Sequence, residues 1–152
     1  ACAGFRPRMA GKPYRPLLDE TVLRLGAKRP IFVGDRIDTD IVGAGNVGMD
    51  SLFVFTGAHG KHDLAAAEPT GRPTHIGAGL NALLTPARRL EEIPGGYRCG
   101  LHEVWITDGV ARTEDLPRDV EGQLDVLWCA LHARWRREAE VDDLLEHLDQ
   151  VR

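Results

Sequence analysis

Two short segments that are almost entirely apolar constrain the fold of this chain more than any other feature. Residues 29–34 contain Ile-Phe-Val, and residues 51–55 read Ser-Leu-Phe-Val-Phe. Such uninterrupted runs are typical of strands that are buried on both faces, as in parallel sheets. Helical patterns at about residues 16–25 and 39–47 alternate with these strands, and a short strand is predicted at 74–76. We therefore predict an α/β fold in which helices flank a parallel sheet.

The composition of the chain changes after residues 85–86. We predict one unit at residues 1–86 and a small α+β appendage at residues 87–152. The predicted parts of this appendage are a charged connector at 88–94, a β segment at 97–112 with a turn at 108–109, and helices at 119–138 and 141–151. The Asp-Gly pair between two apolar runs indicates the hairpin turn, and apolar residues at helical spacing make the longer helix amphipathic.

Charge and hydrophobicity argue against several classes of partner. The net charge is −4, and the chain has neither a basic block nor an apolar run near the length of about 20 residues that spans a bilayer. We therefore expect no nucleic acid and no membrane as the main partner. Residues 1–12 lack an apolar signal-peptide core, and Cys2, Cys99 and Cys129 are scattered. These features are typical of a cytoplasmic protein with free thiols.

Three aspartates, Asp35, Asp38 and Asp40, follow the first predicted strand within six residues. Neighbouring carboxylates repel each other unless a positive charge neutralises them. The carboxyl ends of parallel strands form the edge at which α/β proteins bind ligands, and Mg²⁺ prefers carboxylate oxygens. We therefore predict half of a Mg²⁺ site, with Asp35 as a metal ligand.

Simpler roles stay open for the neighbouring residues. Asp38 or Asp40 could instead cap the helix predicted at 39–47, whereas Asp40 could also hold a metal-bound water. Lys12 lies between a glycine and a proline before the first predicted helix. Its ammonium could point at a phosphate or at a carboxylate; the alternative is a solvated lysine on the surface.

Together, Gly-Lys-Pro at residues 11–13 and Val-Gly-Asp-Arg-Ile-Asp-Thr-Asp-Ile at residues 33–41 resemble motifs III and IV of the haloacid-dehalogenase-like (HAD-like) hydrolases. The closest resemblance is to the large-capped subfamily IIA, which includes nitrophenyl-phosphate-type and glycerol-phosphate-type phosphatases. The resemblance covers about residues 7–84. It implies a Rossmannoid sheet, Mg²⁺ as the cofactor, Asp35 as the metal ligand, and Lys12 and Asp40 as catalytic residues.

The chain departs from this family in one large respect. The nucleophile motif Asp-x-Asp-Gly-Thr does not occur in the sequence, and neither do motif II and the cap that normally precede motif III. The resemblance therefore implies the C-terminal part of a phosphatase that is inactive alone. The intact enzyme would hydrolyse a small phosphorylated metabolite through an aspartyl-phosphate. Glycerol 3-phosphate is the substrate that the tailed members of the subfamily suggest.

The missing central strand has a physical consequence for residues 31–33. In the family, the corresponding strand pairs with the strand that carries the nucleophile, so that its edge here would be open. An exposed apolar edge invites pairing with another chain. We therefore expect the missing N-terminal half of the protein, a swapped strand or a second copy in a homo-oligomer to cover it.

Other patterns in the sequence have competing interpretations. A non-catalytic binding or regulatory module on the same scaffold is the main alternative to a phosphatase. Residues 43–48 match the dinucleotide pattern Gly-x-Gly-x-x-Gly, but no strand precedes them and no crossover helix has room to follow, which disfavours NAD binding. Residues 59–63 contain two histidines and an aspartate, for which a polar loop is favoured over a zinc site. The tryptophans favour core packing over a ligand platform.

Overall fold

The structure is a computed structural model that describes residues 9–152, so that Cys2 and the start of the first predicted unit, residues 1–8, lie outside it. It contains a parallel sheet and an antiparallel sheet. The elements of the first unit are α1 (Arg15–Leu25), β1 (Ile31–Gly34), a π-helical turn (Ile37–Ile41), α2 (Val42–Val47), β2 (Asp50–Val54), α3 (Lys61–Ala65), a 3₁₀ turn (Pro69–Gly71), β3 (His75–Gly77) and a 3₁₀ turn (Leu80–Leu84). The predicted α/β fold class is confirmed.

The parallel sheet has the order β1-β2-β3, with β2 in the centre. Leu52, Phe53 and Val54 of β2 are buried, as the apolar run predicts. Strand β1 pairs with β2 in the register Val33↔Leu52 and has no second neighbour among residues 9–152. The structure therefore places β1 at the edge of the described sheet, where the sequence predicts an unpaired edge.

Helix α1 begins and ends as its sequence predicts, since Pro16 lies in its first turn and Gly26 ends it with a φ of 58°. The apolar face of α1 is mostly exposed, however, because Leu18 is its only buried residue. Leu18 lies against α2, where a Cβ on Gly43 would come within 3.2 Å of its Cδ1 atom. The glycine thus permits close packing of the two helices, while Leu25 remains 73% exposed.

The second unit is a four-stranded antiparallel sheet in sequence order that packs against a long helix. Its elements are β4 (Leu90–Ile93), β5 (Gly96–Cys99), β6 (His102–Thr107), β7 (Val110–Arg112), α4 (Val120–Trp135) and α5 (Asp142–Glu146). The predicted hairpin turn is confirmed between β6 and β7, where Asp108 and Gly109 both have positive φ. The helix predicted at 141–151 is shorter than expected, although Leu148 and Val151 beyond its end are still buried.

The prediction of a charged connector at residues 88–94 is wrong, because β4 occupies most of it. Leu90 and Ile93 are half-buried while Glu91 and Glu92 are exposed. The two glutamates pair across the surface with Arg98 and Arg136. A strand with its charges in solvent has the composition of a linker, so that composition alone does not distinguish the two.

Helix α4 is buried on almost all sides rather than along one stripe. Besides Leu124, Leu127 and Leu131 of the predicted stripe, Val126 and Cys129 are also fully buried. The reason is that α4 packs against β5 and β6 and also against α3 and β3. No helix in residues 9–152 is long and apolar enough to cross a membrane.

The two predicted units share one continuous apolar core. Phe53, Leu64 and Ile76 from the first unit belong to the same buried cluster as α4 and the strands of the second unit. Trp128 and Trp135 form an edge-to-face pair with ring centroids 5.9 Å apart, and the indole N–H of Trp135 donates to the carbonyl of Leu64 at 2.9 Å. These tryptophans therefore join the two units as core residues.

We predict that Leu127→Ala lowers the free energy of unfolding by about 2–5 kcal/mol because it leaves a cavity in this shared core. All three tryptophans lie after residue 86, so that tryptophan fluorescence follows the second unit while far-UV circular dichroism follows both. In urea unfolding of Leu127→Ala, the midpoints of the fluorescence and circular dichroism transitions should fall by the same amount. Leu101→Ala, at a side chain that is 95% exposed, should change the free energy by no more than about 0.5 kcal/mol. Separate transitions for the two signals would mean that the units fold independently.

Candidate active site

Two loops meet at the carboxyl edge of the parallel sheet. The first follows β1 and contains Asp35 and the π-helical turn Ile37–Ile41. The second follows β2 and runs through residues 55–60 to α3. Because β1 and β2 are parallel neighbours, both loops leave the sheet on the same side. This edge is where ligands bind in open α/β sheets.

Lys12 and Asp40 form the closest ion pair at this edge. The Nζ atom of Lys12 lies 2.6 Å from Oδ1 of Asp40, whose side chain is only 6% exposed. The other oxygen of Asp40 accepts a hydrogen bond from the backbone N–H of Arg36 at 3.2 Å. Asp40 therefore closes the turn and at the same time holds the ammonium of Lys12, whose side chain is 42% exposed. A buried carboxylate needs such partners.

Gly34 at the end of β1 makes room for this pair. A Cβ atom on Gly34 would lie 2.4 Å from Cβ and Oδ2 of Asp40. Any larger residue would displace the carboxylate from Lys12. The glycine that ends the strand is thus a requirement of the site rather than of the strand.

Asp38 plays no part in the inner site. Its carboxylate points into solvent, where Arg36 binds it at 2.8 Å, and this hydrogen bond holds the pKa of Asp38 below its usual range. The structure shows no capping bond from Asp38. Neither the π-helical turn nor α2 has a side-chain cap, and Asp40 instead accepts the N–H of Arg36 just ahead of the turn.

Asp35 is held by the second loop. Its Oδ2 atom accepts a hydrogen bond from the backbone N–H of Ala58 at 3.2 Å. A Cβ atom on Gly57 would lie 1.7 Å from the same oxygen, so only glycine leaves space for the carboxylate. Within residues 9–152, Asp35 takes part in no ion pair, whereas Asp38 and Asp40 each have a cationic partner.

The surroundings of Asp35 fit a Mg²⁺ ligand. Mg²⁺ is commonly bound by one or two carboxylates, with water and substrate phosphate completing its shell. Residues 9–152 contain no group of three or more His, Cys, Asp or Glu side chains that could hold a metal ion. Asp35 can therefore supply one ligand of such an ion, whose shell would be completed by water, by substrate phosphate or by groups outside residues 9–152.

The structure disfavours the zinc interpretation of residues 59–63. The Nδ1 atom of His59 accepts a hydrogen bond from the N–H of Ile37 at 2.9 Å, and Asp63 accepts one from the N–H of Gly60 at 2.7 Å. His62 lies 3.5 Å from Glu146 of α5. These side chains point to separate partners, as expected for a polar loop.

The dinucleotide pattern at residues 43–48 lies within α2 and its end. Gly43 packs against α1, and Gly48 ends the helix with a φ of 72°. The pattern follows a π-helical turn rather than a strand, so it lacks the strand-to-helix geometry that binds a pyrophosphate. The structure therefore agrees with the sequence in disfavouring NAD binding.

Two contributors to the site, His59 and Ala58, were not identified from the sequence. Ala58 acts through its backbone N–H, and no side-chain pattern reveals that. His59 acts through a hydrogen bond to Ile37, a residue 22 positions away. The only signal in the sequence is a glycine at 57, two residues after the apolar run 51–55 ends, which indicates a close approach of another group.

The family described as HAD-hydrolase-like matches residues 9–83. The D-glycerol 3-phosphate phosphatase of Mycobacterium tuberculosis is 44% identical over 91 residues, which are 60% of this chain and 26% of that protein. An acid sugar phosphatase of Staphylococcus epidermidis is 32% identical over 83 residues, which are 53% of this chain and 31% of that protein. The chain thus spans about a quarter to a third of the length of these relatives.

The crystal structure of glycerol phosphate phosphatase Rv1692 from Mycobacterium tuberculosis in complex with magnesium matches with a TM-score of 0.63 at 28% identity. The match covers 97% of this chain and 44% of that one. A structure of the same protein in complex with calcium matches with a TM-score of 0.57 at 31% identity, over 91% of this chain and 40% of that one. The similarity therefore extends through the second unit as well as the first.

We predict that Gly34→Ala lowers the free energy of unfolding by about 1–3 kcal/mol, because the new methyl group displaces Asp40 from Lys12. Gly45→Ala is the matched control, since Gly45 lies within α2 and a Cβ there would be 3.7 Å from the nearest atom, the backbone oxygen of Thr70. That control should raise the stability by up to about 1 kcal/mol. Urea unfolding of the three proteins measures both effects. Equal changes in the free energy of unfolding for Gly34→Ala and Gly45→Ala would show that Gly34 does not make room for the ion pair.

Proposed function

Residues 9–83 belong to the HAD-like hydrolases of subfamily IIA, and we propose that the protein acts as a Mg²⁺-dependent phosphatase on small phosphomonoesters. The observation that carries this proposal is the environment of Asp35. Asp35 lies at the carboxyl edge of a parallel sheet and forms no ion pair among residues 9–152, while Asp40 in the same loop holds Lys12. This arrangement suits a metal and a phosphate.

Each residue of the site has a definite role in this proposal. Asp35 binds the metal ion, which when bound offsets the negative charge of the phosphate. Asp40 holds Lys12 in place through the pair at 2.6 Å. Because the Lys12 side chain remains 42% exposed, its ammonium can also stabilise charge on the transferring phosphoryl group. Asp40 is thus a positioning residue, and Lys12 is the group that would touch the substrate.

We further propose that the nucleophile is an aspartate on a strand that pairs with β1. The motif Asp-x-Asp-Gly-Thr is absent from these 152 residues, and β1 has a free edge in the described sheet. A strand paired there would end beside Asp35. An aspartate at its end could attack the phosphorus to form an aspartyl-phosphate.

The exposed apolar side chains support a partner for the first unit. Among the described residues 9–152, nearly all of the large exposed hydrophobic residues belong to the first unit: Met9, Tyr14, Leu17, Leu23, Leu25, Ile31, Leu80, Leu83 and Leu84. Only Leu101 belongs to the second unit. An excess of exposed apolar residues in one unit is typical of a unit that binds protein. We propose that the N-terminal half of the enzyme covers these residues, with a swapped strand or a second copy as alternatives.

D-Glycerol 3-phosphate is the substrate that we propose first. The relative with 44% identity is a D-glycerol 3-phosphate phosphatase, and the structural match to a glycerol phosphate phosphatase includes the second unit. Acid sugar phosphatases and a 5′-nucleotidase of Bacillus subtilis are also similar, so sugar phosphates and nucleotides belong in the same assay. The cytoplasmic location remains a prediction from the sequence.

A non-catalytic binding or regulatory module is the competing proposal. We expect the 152-residue chain to release no phosphate from D-glycerol 3-phosphate, and we expect activity once it is expressed with the coding sequence that precedes residue 1. Phosphate release, measured with and without Mg²⁺, tests this. Absence of activity towards all of the substrates in the longer protein would favour the regulatory module.

We predict that Asp35→Asn in the active protein lowers kcat by at least about 100-fold and raises the Mg²⁺ concentration needed for activity, since an amide binds Mg²⁺ poorly. Asp38→Asn is the matched control, because Asp38 is exposed and paired with Arg36. It should retain activity close to that of the unsubstituted protein. Near-normal turnover of Asp35→Asn at low Mg²⁺ would rule out Asp35 as the metal ligand.

A further inference from the structure

One loop connects the candidate metal ligand to the C-terminal end of the chain. We call residues 57–61 the bridging loop. It leaves β2, passes Asp35 and enters α3 at Lys61. Its two ends contact parts of the chain that are far apart in sequence.

The first end of the bridging loop holds the segment that follows β1. The N–H of Ala58 donates to Oδ2 of Asp35 at 3.2 Å, and the N–H of His59 donates to the backbone oxygen of Asp35 at 3.3 Å. In the opposite direction, the N–H of Ile37 donates to Nδ1 of His59 at 2.9 Å. The first two hydrogen bonds hold the carboxylate and the backbone of Asp35, and the third holds Ile37, two residues further along the same segment.

The other end of the bridging loop holds the C-terminal segment, residues 148–152. The ammonium of Lys61 donates to the backbone oxygens of Leu148 at 2.6 Å and Val151 at 2.7 Å. The backbone N–H of Lys61 donates to the backbone oxygen of Arg152 at 2.8 Å. Leu148 and Val151 are themselves buried, with 0% and 2% exposure.

The path between these two ends is very short. His59 and Lys61 are separated by Gly60 alone, whose added Cβ atom would lie 2.9 Å from the backbone oxygen of Arg152. A displacement of Lys61 therefore moves His59 almost directly, because one residue leaves little chain to absorb it. Contiguous contacts of this kind can carry energetic coupling between distant segments.

We infer that residues 148–152 set the position of Asp35 through the bridging loop, with Lys61 and His59 as positioning residues. The inference rests on the proposed function for the role of Asp35 as a metal ligand. It assigns a task to the second unit, whose C-terminal segment keeps the metal-binding loop ordered. Neither His59 nor Lys61 needs to touch the substrate.

Amide hydrogen exchange of the 152-residue chain, followed by mass spectrometry, tests the coupling without any activity. Lys61→Met should speed exchange at residues 148–152 and also at residues 35–41, by about fivefold or more in each. Lys28→Met, at an exposed lysine, is the matched control and should change neither. Faster exchange at 148–152 alone, with 35–41 unchanged, would overturn the inference.

A substitution of His59 tests the end of the bridging loop that contacts Asp35 and Ile37. His59→Ala should speed exchange at residues 35–41 more than at residues 148–152, and His59→Asn, which keeps a side-chain acceptor, should restore slow exchange. If Lys61→Met does not fold, Gly60→Ala displaces Arg152 without removing a charge and should reproduce the effect on both segments. Unchanged exchange at 35–41 in His59→Ala, or in Gly60→Ala, would contradict the coupling.

The substitution Lys61→Met also separates this inference from the proposed function. In the active protein, Lys61→Met should raise the Mg²⁺ concentration at half-maximal rate more than it lowers kcat at saturating Mg²⁺. A coupled exchange response without any phosphatase activity would uphold the positional link and reject the phosphatase. Activity that shows an unchanged Mg²⁺ requirement in Lys61→Met would reject the link to the metal ligand alone.

Discussion

The repulsion among the aspartates after β1 is the constraint on which the site depends. The structure resolves it in three different ways. Asp38 turns to solvent and pairs with Arg36, Asp40 is buried against Lys12, and Asp35 is held by the N–H of Ala58. Only the last of these leaves a carboxylate without a cation in the described chain. The difference among the three aspartates follows from burial. A buried carboxylate must be paired with a positive charge, whereas a carboxylate at a ligand-binding edge can be neutralised by a bound cation.

Glycines set the distances in this arrangement. Gly34 gives space to the Asp40 carboxylate, and Gly57 gives space to that of Asp35. Gly34 ends β1 and Gly57 lies shortly after the end of β2, so the backbone approaches both acidic side chains at the same edge of the sheet. The two strands therefore supply the geometry of the site as well as its support.

The second unit is joined to the first by burial rather than by a linker. Helix α4 lies between the antiparallel sheet and the elements α3 and β3, and the resulting core is continuous. Lys61 adds a polar connection from the loop beside Asp35 to Leu148 and Val151. A unit with these contacts stabilises the scaffold of the site even though its own residues lie outside it.

The sequence by itself determined the parallel strands and the hairpin at residues 108–109, because local apolar runs and turn residues act over short distances. Lys12, Asp35 and Asp40 were predicted as site residues from the clustered aspartates and the family resemblance, and their roles remain proposals. The sequence misjudged residues 88–94, where exposed glutamates on β4 have the composition of a linker. Tertiary structure alone decided which aspartate is buried with Lys12 and which stays unpaired, and it alone brought His59 to Ile37 and Lys61 to residues 148–152. Those contacts are made by backbone groups and by residues far apart in the chain, and no local pattern encodes them.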